Sequence, residues 1–224
     1  MLQPIVYLPL EIKNRELEAR LLIACRLLER GVTVVFGQQW AIFYNVENWP
    51  PGAVLFKTMN QIQAANMEAF NKREHVVAGT DEEVLTSVSD FVISFSNTAA
   101  HAAHLFFAQS GLHAAAVAQR FPVLKERTVV TGNPRVDVIR HLGPSIFGEE
   151  AARIRKEMGP YVLVNSNYAT INSIWGRENA ISACIQAGVL DPDDPVSAKR
   201  FADAEAWEEQ NFADMKEFVS WAAR

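Results

Sequence analysis

Three polar clusters in the sequence have side chains suited to binding a small molecule. Each follows a short apolar run: 128–130, 161–164 or 75–78. The clusters are residues 131–135 (TGNPR), 165–167 (NSN) and 81–83 (DEE). Ligands of open parallel sheets bind beyond the carboxyl ends of the strands. If the apolar runs are strands, all three clusters stand where a phosphate, a sugar or a transferred proton would meet the protein.

The first cluster suits an anion. Arg135 carries a planar guanidinium that can hold a phosphate, Gly132 permits close backbone approach, and Pro134 stiffens the turn beside Asn133. We predict Asn133 and Arg135 as substrate-binding residues. The alternative is a structural turn in which Arg135 pairs with Asp137, because Gly, Asn and Pro also favour turns for conformational reasons alone.

The other two clusters suggest a sugar site and a base. Asn165 and Asn167 offer amides to a sugar or phosphate, unless they only form an Asx turn that caps the next element. Inverting glycosyl transfer requires a carboxylate to accept the proton of the acceptor hydroxyl, and Glu82 or Glu83 is the candidate. The alternative is that these acids complement the dipole of a helix over 81–88.

Other chemistries are disfavoured. His101 and His104 lie three residues apart on a predicted helix, but no supporting Glu or Cys is near, so packing is preferred to a zinc site. No glycine fingerprint follows the first apolar run, which argues against a nicotinamide or flavin, and we predict no cofactor and no metal. Residues 37–40 (GQQW) are a weaker candidate for lining a ligand cleft.

Composition narrows the partners and the location. The 224 residues carry a net charge of −5, which disfavours nucleic acid as a partner. The two cysteines are far apart in sequence, which argues against a disulfide framework. Without an apolar run of about 20 residues or a signal sequence, the predicted location is the cytoplasm.

The elements that position these clusters alternate along the chain. Runs at 5–8, 32–36, 53–56, 75–78, 91–94 and 128–130 read as buried strands, separated by helices near 38–45, 61–73, 81–88 and 98–120. Within the first helix we expect Asn14 as the N-cap, Gly31 as the terminating residue, and Glu16 and Arg20 on the outer side. A buried stripe of that helix is predicted at Leu17, Leu21, Ala24, Cys25 and Leu28. This alternation predicts an α/β fold, a Rossmann-like doubly wound parallel sheet, over residues 1–139.

The remaining sequence departs from the alternation. Residues 140–160 are expected to form a linker (140–150) and a helix from 149 to 158, followed by a buried strand at 161–164. The rest of 161–224 is mostly helical, with Asp194 capping a last helix that starts at Pro195. Trp207, Phe212, Phe218 and Trp221 should pack on the first domain or in a dimer contact. We interpret 161–224 as the incomplete start of a second Rossmann-like domain.

Three strings carry a family resemblance. Residues 6–11 (VYLPLE) with 14–17 (NREL), residues 131–137 (TGNPRVD) and residues 161–167 (YVLVNSN) resemble the bacterial surface carbohydrate (capsule and O-antigen) biosynthesis proteins, which are GT-B-type glycosyltransferases. The resemblance covers essentially the whole chain. It implies an N-terminal, acceptor-side domain and a C-terminal domain that binds the donor, of which most is missing.

The resemblance implies transfer of a sugar from a nucleotide-sugar donor to a glycan or lipid-linked acceptor, at the cytoplasmic face of the inner membrane. A chain without most of the donor domain is expected to be inactive alone. Two alternatives stay open. One is a sugar-nucleotide epimerase, since such enzymes carry a similar turn at 131–137. The other is a non-catalytic scaffold that dimerises through its C-terminal helix.

Overall fold

The computed structural model describes residues 3–81, 95–165, 168–186 and 189–222. Two compact units divide the chain between Gly159 and Pro160. The predicted strand at 91–94 and, apart from Asp81, the predicted helix at 81–88 lie outside the described residues.

Six parallel strands form one sheet in the described part of the first unit, which confirms the α/β, Rossmann-like prediction. They run in the order β2-β1-β3-β4-β5-β6, so the direction of winding reverses between β1 and β3. The strands are β1 Ile5–Leu10, β2 Thr33–Gln38, β3 Ala53–Phe56, β4 Val76–Gly79, β5 Leu105–Ala108 and β6 Thr128–Val130.

Strand β5 is a correction, because we predicted one helix over 98–120. The four apolar residues of β5 separate two shorter helices, and Phe106 and Ala108 are fully buried. Periodicity cannot distinguish so short an apolar run from a helical segment, and the alanines on both sides favoured helix. The other five strands match the predicted runs to within two residues.

Helices connect the strands of the sheet, and further helices follow the last strand along the chain. In the first unit they are α1 Lys13–Leu28, α2 Gln39–Phe43, α3 Gln61–Lys72, α4 Asn97–Ala102, α5 Gly111–Arg120, α6 Pro134–Asp137 and α7 Gly143–Met158. A π-helical turn, Val138–Leu142, joins α6 to α7. The predicted linker at 140–150 is therefore wrong. Pro144 stands in the first turn of α7, where proline is tolerated, rather than in a loop.

An aromatic cluster anchors β1, β3 and α3. Tyr7, Phe56 and Phe70 are buried to 1% exposure or less, and the Phe56 and Phe70 rings meet edge to face at 5.8 Å. The Tyr7 hydroxyl donates to the Pro50 carbonyl at 2.6 Å, and burial raises the pKa of Tyr7. His75 packs edge-on against Phe70 at 4.9 Å. This cluster fixes the central strands whose carboxyl ends carry the site.

Helix α1 is rotated relative to the prediction. Its buried residues are Glu16, Ala19, Arg20 and Ala24, whereas Leu21 and Leu28 are exposed. Asn14 does not cap the helix. The Glu16 carboxylate instead accepts the backbone N–H groups of Glu11 and Ile12, both at 3.1 Å, and so fixes the segment that leads into the helix. Gly31 ends the segment with φ +73°, as predicted.

The second unit contains α8 Arg177–Gln186 and α9 Pro195–Ala222. The predicted strand at 161–164 is wrong: these residues belong to no strand among the described residues, and Val162 is 83% exposed. The incomplete Rossmann-like domain therefore lacks the strand from which we inferred it. Asp194 does cap α9, accepting from the N–H groups of Val196 and Ser197 at 3.1 Å.

The aromatic face of α9 is only partly covered. Phe212 packs against Tyr168 with ring centroids 5.0 Å apart, whereas Trp207, Phe218 and Trp221 are exposed. A dimer contact through these side chains stays a prediction. No helix in the described ranges is long and apolar enough to cross a membrane.

Candidate functional site

A cavity of about 300 Å³ lies at the carboxyl edge of the sheet in the first unit. Residues at or just after the ends of β3, β4, β5 and β6 form one side, and α1 forms the opposite wall. Its charged lining residues among those described are Glu16, Arg20, Lys57, Asp81, Arg135 and Asp137. Ile23, Leu55 and Phe107 add apolar surface. The cavity is thus where an open α/β sheet binds its ligand.

The predicted residues Asn133 and Arg135 both line this cavity. Strand β6 leads to Gly132, which has φ +84° and open space where a Cβ would stand. The Asn133 carboxamide oxygen accepts the Arg135 N–H at 2.9 Å, which caps α6 at Pro134. The Asn133 side chain therefore has a capping role, and the same turn brings Arg135 to the cavity. The pairing of Arg135 with Asp137 stays a prediction.

Arg20 and Lys57 are two further cations that line the cavity, and neither was predicted from the sequence as a site residue. Lys57, directly after β3, pairs with Glu11 after β1, at the point where the sheet reverses. Arg20 is 6% exposed, and its guanidinium donates to the Leu55 carbonyl at 3.2 Å. The signal for Arg20 was its four-residue spacing from Glu16, which we took as an outer pair. The position of Lys57 directly after a strand was the sequence feature that could have identified it.

Asp81 is the carboxylate of the predicted 81–83 cluster that the structure describes, and it is 5% exposed. The Gln109 amide donates to its backbone carbonyl at 2.9 Å. The preceding Thr80 hydroxyl is 3.0 Å from the carbonyl oxygens of Phe56 and Lys57. These contacts fix the end of β4 to the ends of β3 and β5.

His113 of α5 faces Asp81. Its Nε2 lies 3.5 Å from Asp81 Oδ2, longer than a formed hydrogen bond, and the imidazole is 1% exposed. Its Nδ1 accepts the Gln109 N–H at 3.2 Å, so the ring proton of the neutral imidazole sits on Nε2. Burial lowers the pKa of His113, which favours this neutral form.

The other predicted site residues belong to the second unit, lie elsewhere in the first unit or fall outside the described ranges. Glu82, Glu83 and Asn167 are outside them. Asn165 is exposed in the second unit and follows no strand. Gly37 belongs to β2, and Gln38 caps α2 by accepting the Ala41 N–H, so the 37–40 segment has a structural role.

The two histidines of the predicted 98–120 helix have different surroundings. His101 is exposed on α4, whereas His104 follows the helix and accepts the Val77 N–H at 3.1 Å. Over the described residues, no group of three or more His, Cys, Asp or Glu side chains is placed to hold a metal ion. The shared helix on which the zinc alternative depended ends at Ala102.

The cavity combines three cations, three carboxylates and an apolar surface. Guanidinium and ammonium groups donate to phosphate oxygens, while carboxylates and amides bond with hydroxyls. The arrangement therefore suits a ligand that carries both an anionic group and hydroxyls.

Comparisons with models of protein families, with curated proteins and with solved structures find no match to this chain. The fold class is hence established by the sheet itself, and a fold does not imply an activity. Any functional assignment must be argued from the cavity.

Proposed function

We propose that the protein is a glycosyltransferase-like protein whose cavity binds a phosphorylated, hydroxyl-rich ligand during transfer of a sugar from a nucleotide-sugar donor to a glycan or lipid-linked acceptor. The observation that carries this proposal is the position of Arg135 and Asn133, two residues of the string that resembles the glycosyltransferases. Both line one cavity with Arg20 and Lys57 at the ligand-binding edge of the sheet.

The charges around the cavity support this ligand class over a simple anion. Glu16, Asp81 and Asp137 offset the three cations, so a bare polyphosphate would meet repulsion as well as attraction. A ligand with hydroxyl groups donates hydrogen bonds to those carboxylates. Sugar phosphates and nucleotide sugars have both kinds of group.

The proposal assigns donor binding to the cavity of the first unit, whereas the resemblance implies a separate donor domain. Isothermal titration of the full chain with UDP-, GDP- and CMP-linked sugars tests this assignment. We expect one of these donors to bind, and Arg135→Gln to weaken its binding about 10- to 100-fold, the loss of a charge-assisted hydrogen bond of about 1.5–3 kcal/mol. Arg153→Gln is the matched control, because Arg153 lies on α7, pairs with Glu150 and Glu157, and does not line the cavity.

Three results would redirect the assignment. Binding that is insensitive to Arg135→Gln would remove the cavity from the proposal. Epimerised nucleotide sugar in the reaction mixture would favour the epimerase alternative. Absence of binding together with a stable dimer would favour the scaffold alternative, for which the exposed Trp207 and Trp221 are the relevant surface.

A further inference from the structure

The contact between Asp81 and His113 joins a buried acid to a buried imidazole at the wall of the cavity. Asp81 is 5% exposed and His113 is 1% exposed, yet Asp81 lines the cavity. Burying a carboxylate costs free energy unless hydrogen-bond donors or charges compensate it. A buried carboxylate with a specific partner at the wall of a cavity is a candidate functional group.

We propose that Asp81 is the proton acceptor of this cavity and that His113 is the positioning residue that orients it. The proposal rests on the proposed function, because the proton comes from the acceptor hydroxyl of the sugar transfer. Asp81 belongs to the same predicted 81–83 cluster as Glu82 and Glu83, and it is the carboxylate of that cluster within the described residues, where it lines the cavity.

In a direct displacement, the acceptor hydroxyl gives its proton to a carboxylate oxygen of Asp81. The acceptor oxygen then bonds to C1 of the donor sugar. The bond between C1 and the diphosphate oxygen breaks, and its electron pair stays on the leaving nucleoside diphosphate. The proton ends on Asp81, and the negative charge ends on the phosphate, within reach of a cation-lined wall.

Two hydrogen bonds of Gln109 hold Asp81 and His113 in position. The Gln109 side chain fixes its carbonyl at 2.9 Å, and the Gln109 N–H fixes the tautomer of His113 at 3.2 Å. One residue therefore sets the position of both partners. Long contacts such as the 3.5 Å from Nε2 to Oδ2 commonly tighten when a ligand binds.

Charged groups from several elements surround Asp81. Glu16 and Arg20 from α1, Lys57 after β3, and Arg135 and Asp137 from α6 line the same cavity, and His113 of α5 faces Asp81 from behind the lining. The proposed role requires an ionised Asp81 carboxylate, which the first test measures directly.

The first test is free of ligand and uses the full chain. The carboxyl carbon of Asp81, assigned by its loss in Asp81→Asn, is followed by ¹³C NMR from pH 3 to 9. We expect an ionised carboxylate at pH 7, a shifted titration in His113→Phe, and restoration in His113→Gln, which supplies an N–H donor again. A protonated Asp81 at pH 7, or a His113→Phe titration equal to wild type, overturns the proposal.

The second test measures release of nucleoside diphosphate from the donor found by titration, with a panel of sugar acceptors. We expect Asp81→Asn to keep donor binding within about threefold and to slow release about 100-fold or more, within the range of general-base catalysis. Glu47→Gln, an exposed carboxylate of the first unit that pairs with Arg73 and does not line the cavity, is the control and should leave both binding and release unchanged. Donor binding with equal rates in wild type and Asp81→Asn overturns the role of Asp81 alone, whereas failure of every donor to bind overturns the proposed function and this role together.

Discussion

Gly52 lies immediately before β3, against the main chain of β1, and its replacement by alanine is a direct test of that packing. An added Cβ would stand 2.6 Å from the Ile5 carbonyl oxygen and 3.0 Å from a ring carbon of Tyr7. Ordinary contact begins at 3.4 Å. The two strands would have to separate by several tenths of an ångström, because the obstructing oxygen belongs to the backbone rather than to a flexible side chain.

The separation would disturb the pairing of two central strands of the sheet. Strands β1 and β3 pair through the register Val6↔Ala53 and Tyr7↔Val54, directly beside Gly52. Overpacking of this kind costs about 1–3 kcal/mol of unfolding free energy. For a protein of this size, each kcal/mol lowers the Tm by about 2–4 °C, so we expect Gly52→Ala to lower it by about 2–12 °C.

Differential scanning calorimetry and urea unfolding measure this effect. Gly148→Ala is the control, since Gly148 lies inside α7 with no atom within 4 Å of the added Cβ. Alanine is the better helix former by about 1 kcal/mol, so this variant should be more stable than wild type. A Gly52→Ala protein as stable as wild type would refute the close approach of β1 and the start of β3.

Two further predictions concern the half-buried Glu208 and the buried pair His75 and His113. Glu208→Ala should lower the unfolding free energy of the second unit by about 1–3 kcal/mol in urea unfolding, because the Glu208 carboxylate accepts three backbone N–H groups, including that of buried Thr170 at 3.1 Å. The control Glu209→Ala removes an exposed carboxylate and should change this free energy little. Equal losses of unfolding free energy in the two variants would contradict the role of these hydrogen bonds. Burial lowers the pKa values of His75 and His113, so the unfolded chain binds more protons below its histidine pKa of about 6.5. The Tm should therefore change little with pH above about 6.5 and fall as the pH drops from about 6.5 towards the folded-state pKa values. A His75→Phe, His113→Phe double variant should lose most of this dependence of Tm on pH. An unchanged dependence in the double variant would exclude these histidines as its source.

The sheet was largely predictable because most of its strands are continuous apolar runs. Runs such as 5–8 and 53–56 are apolar at every position, and the helices between them impose parallel pairing. Strand β5 was not predictable in the same way, since four apolar residues among alanines satisfy both periods. The run at 161–164 shows the opposite error: it has the composition of a buried strand, but composition alone does not supply the neighbouring strand that burial requires.

The candidate site was predictable where a residue follows a strand and not where it lies on a helix. Asn133 and Arg135 were identified because they follow β6, whose carboxyl end is fixed by the topology. Lys57 follows β3 in the same way, but a lone lysine after a strand is too common a pattern to select.

Helix α1 explains the largest omission. A helix that covers a sheet is expected to turn its apolar stripe inward, and Leu17, Leu21 and Leu28 supply one. The wall that α1 forms is not core, however, but the side of a polar cavity, and there Glu16 and Arg20 turn inward while Leu21 and Leu28 face out. Local patterning and tertiary placement conflict at this helix. Because such conflicts are expected where a protein gives up stability for function, the inverted face of α1 supports the cavity as the working site independently of Arg135.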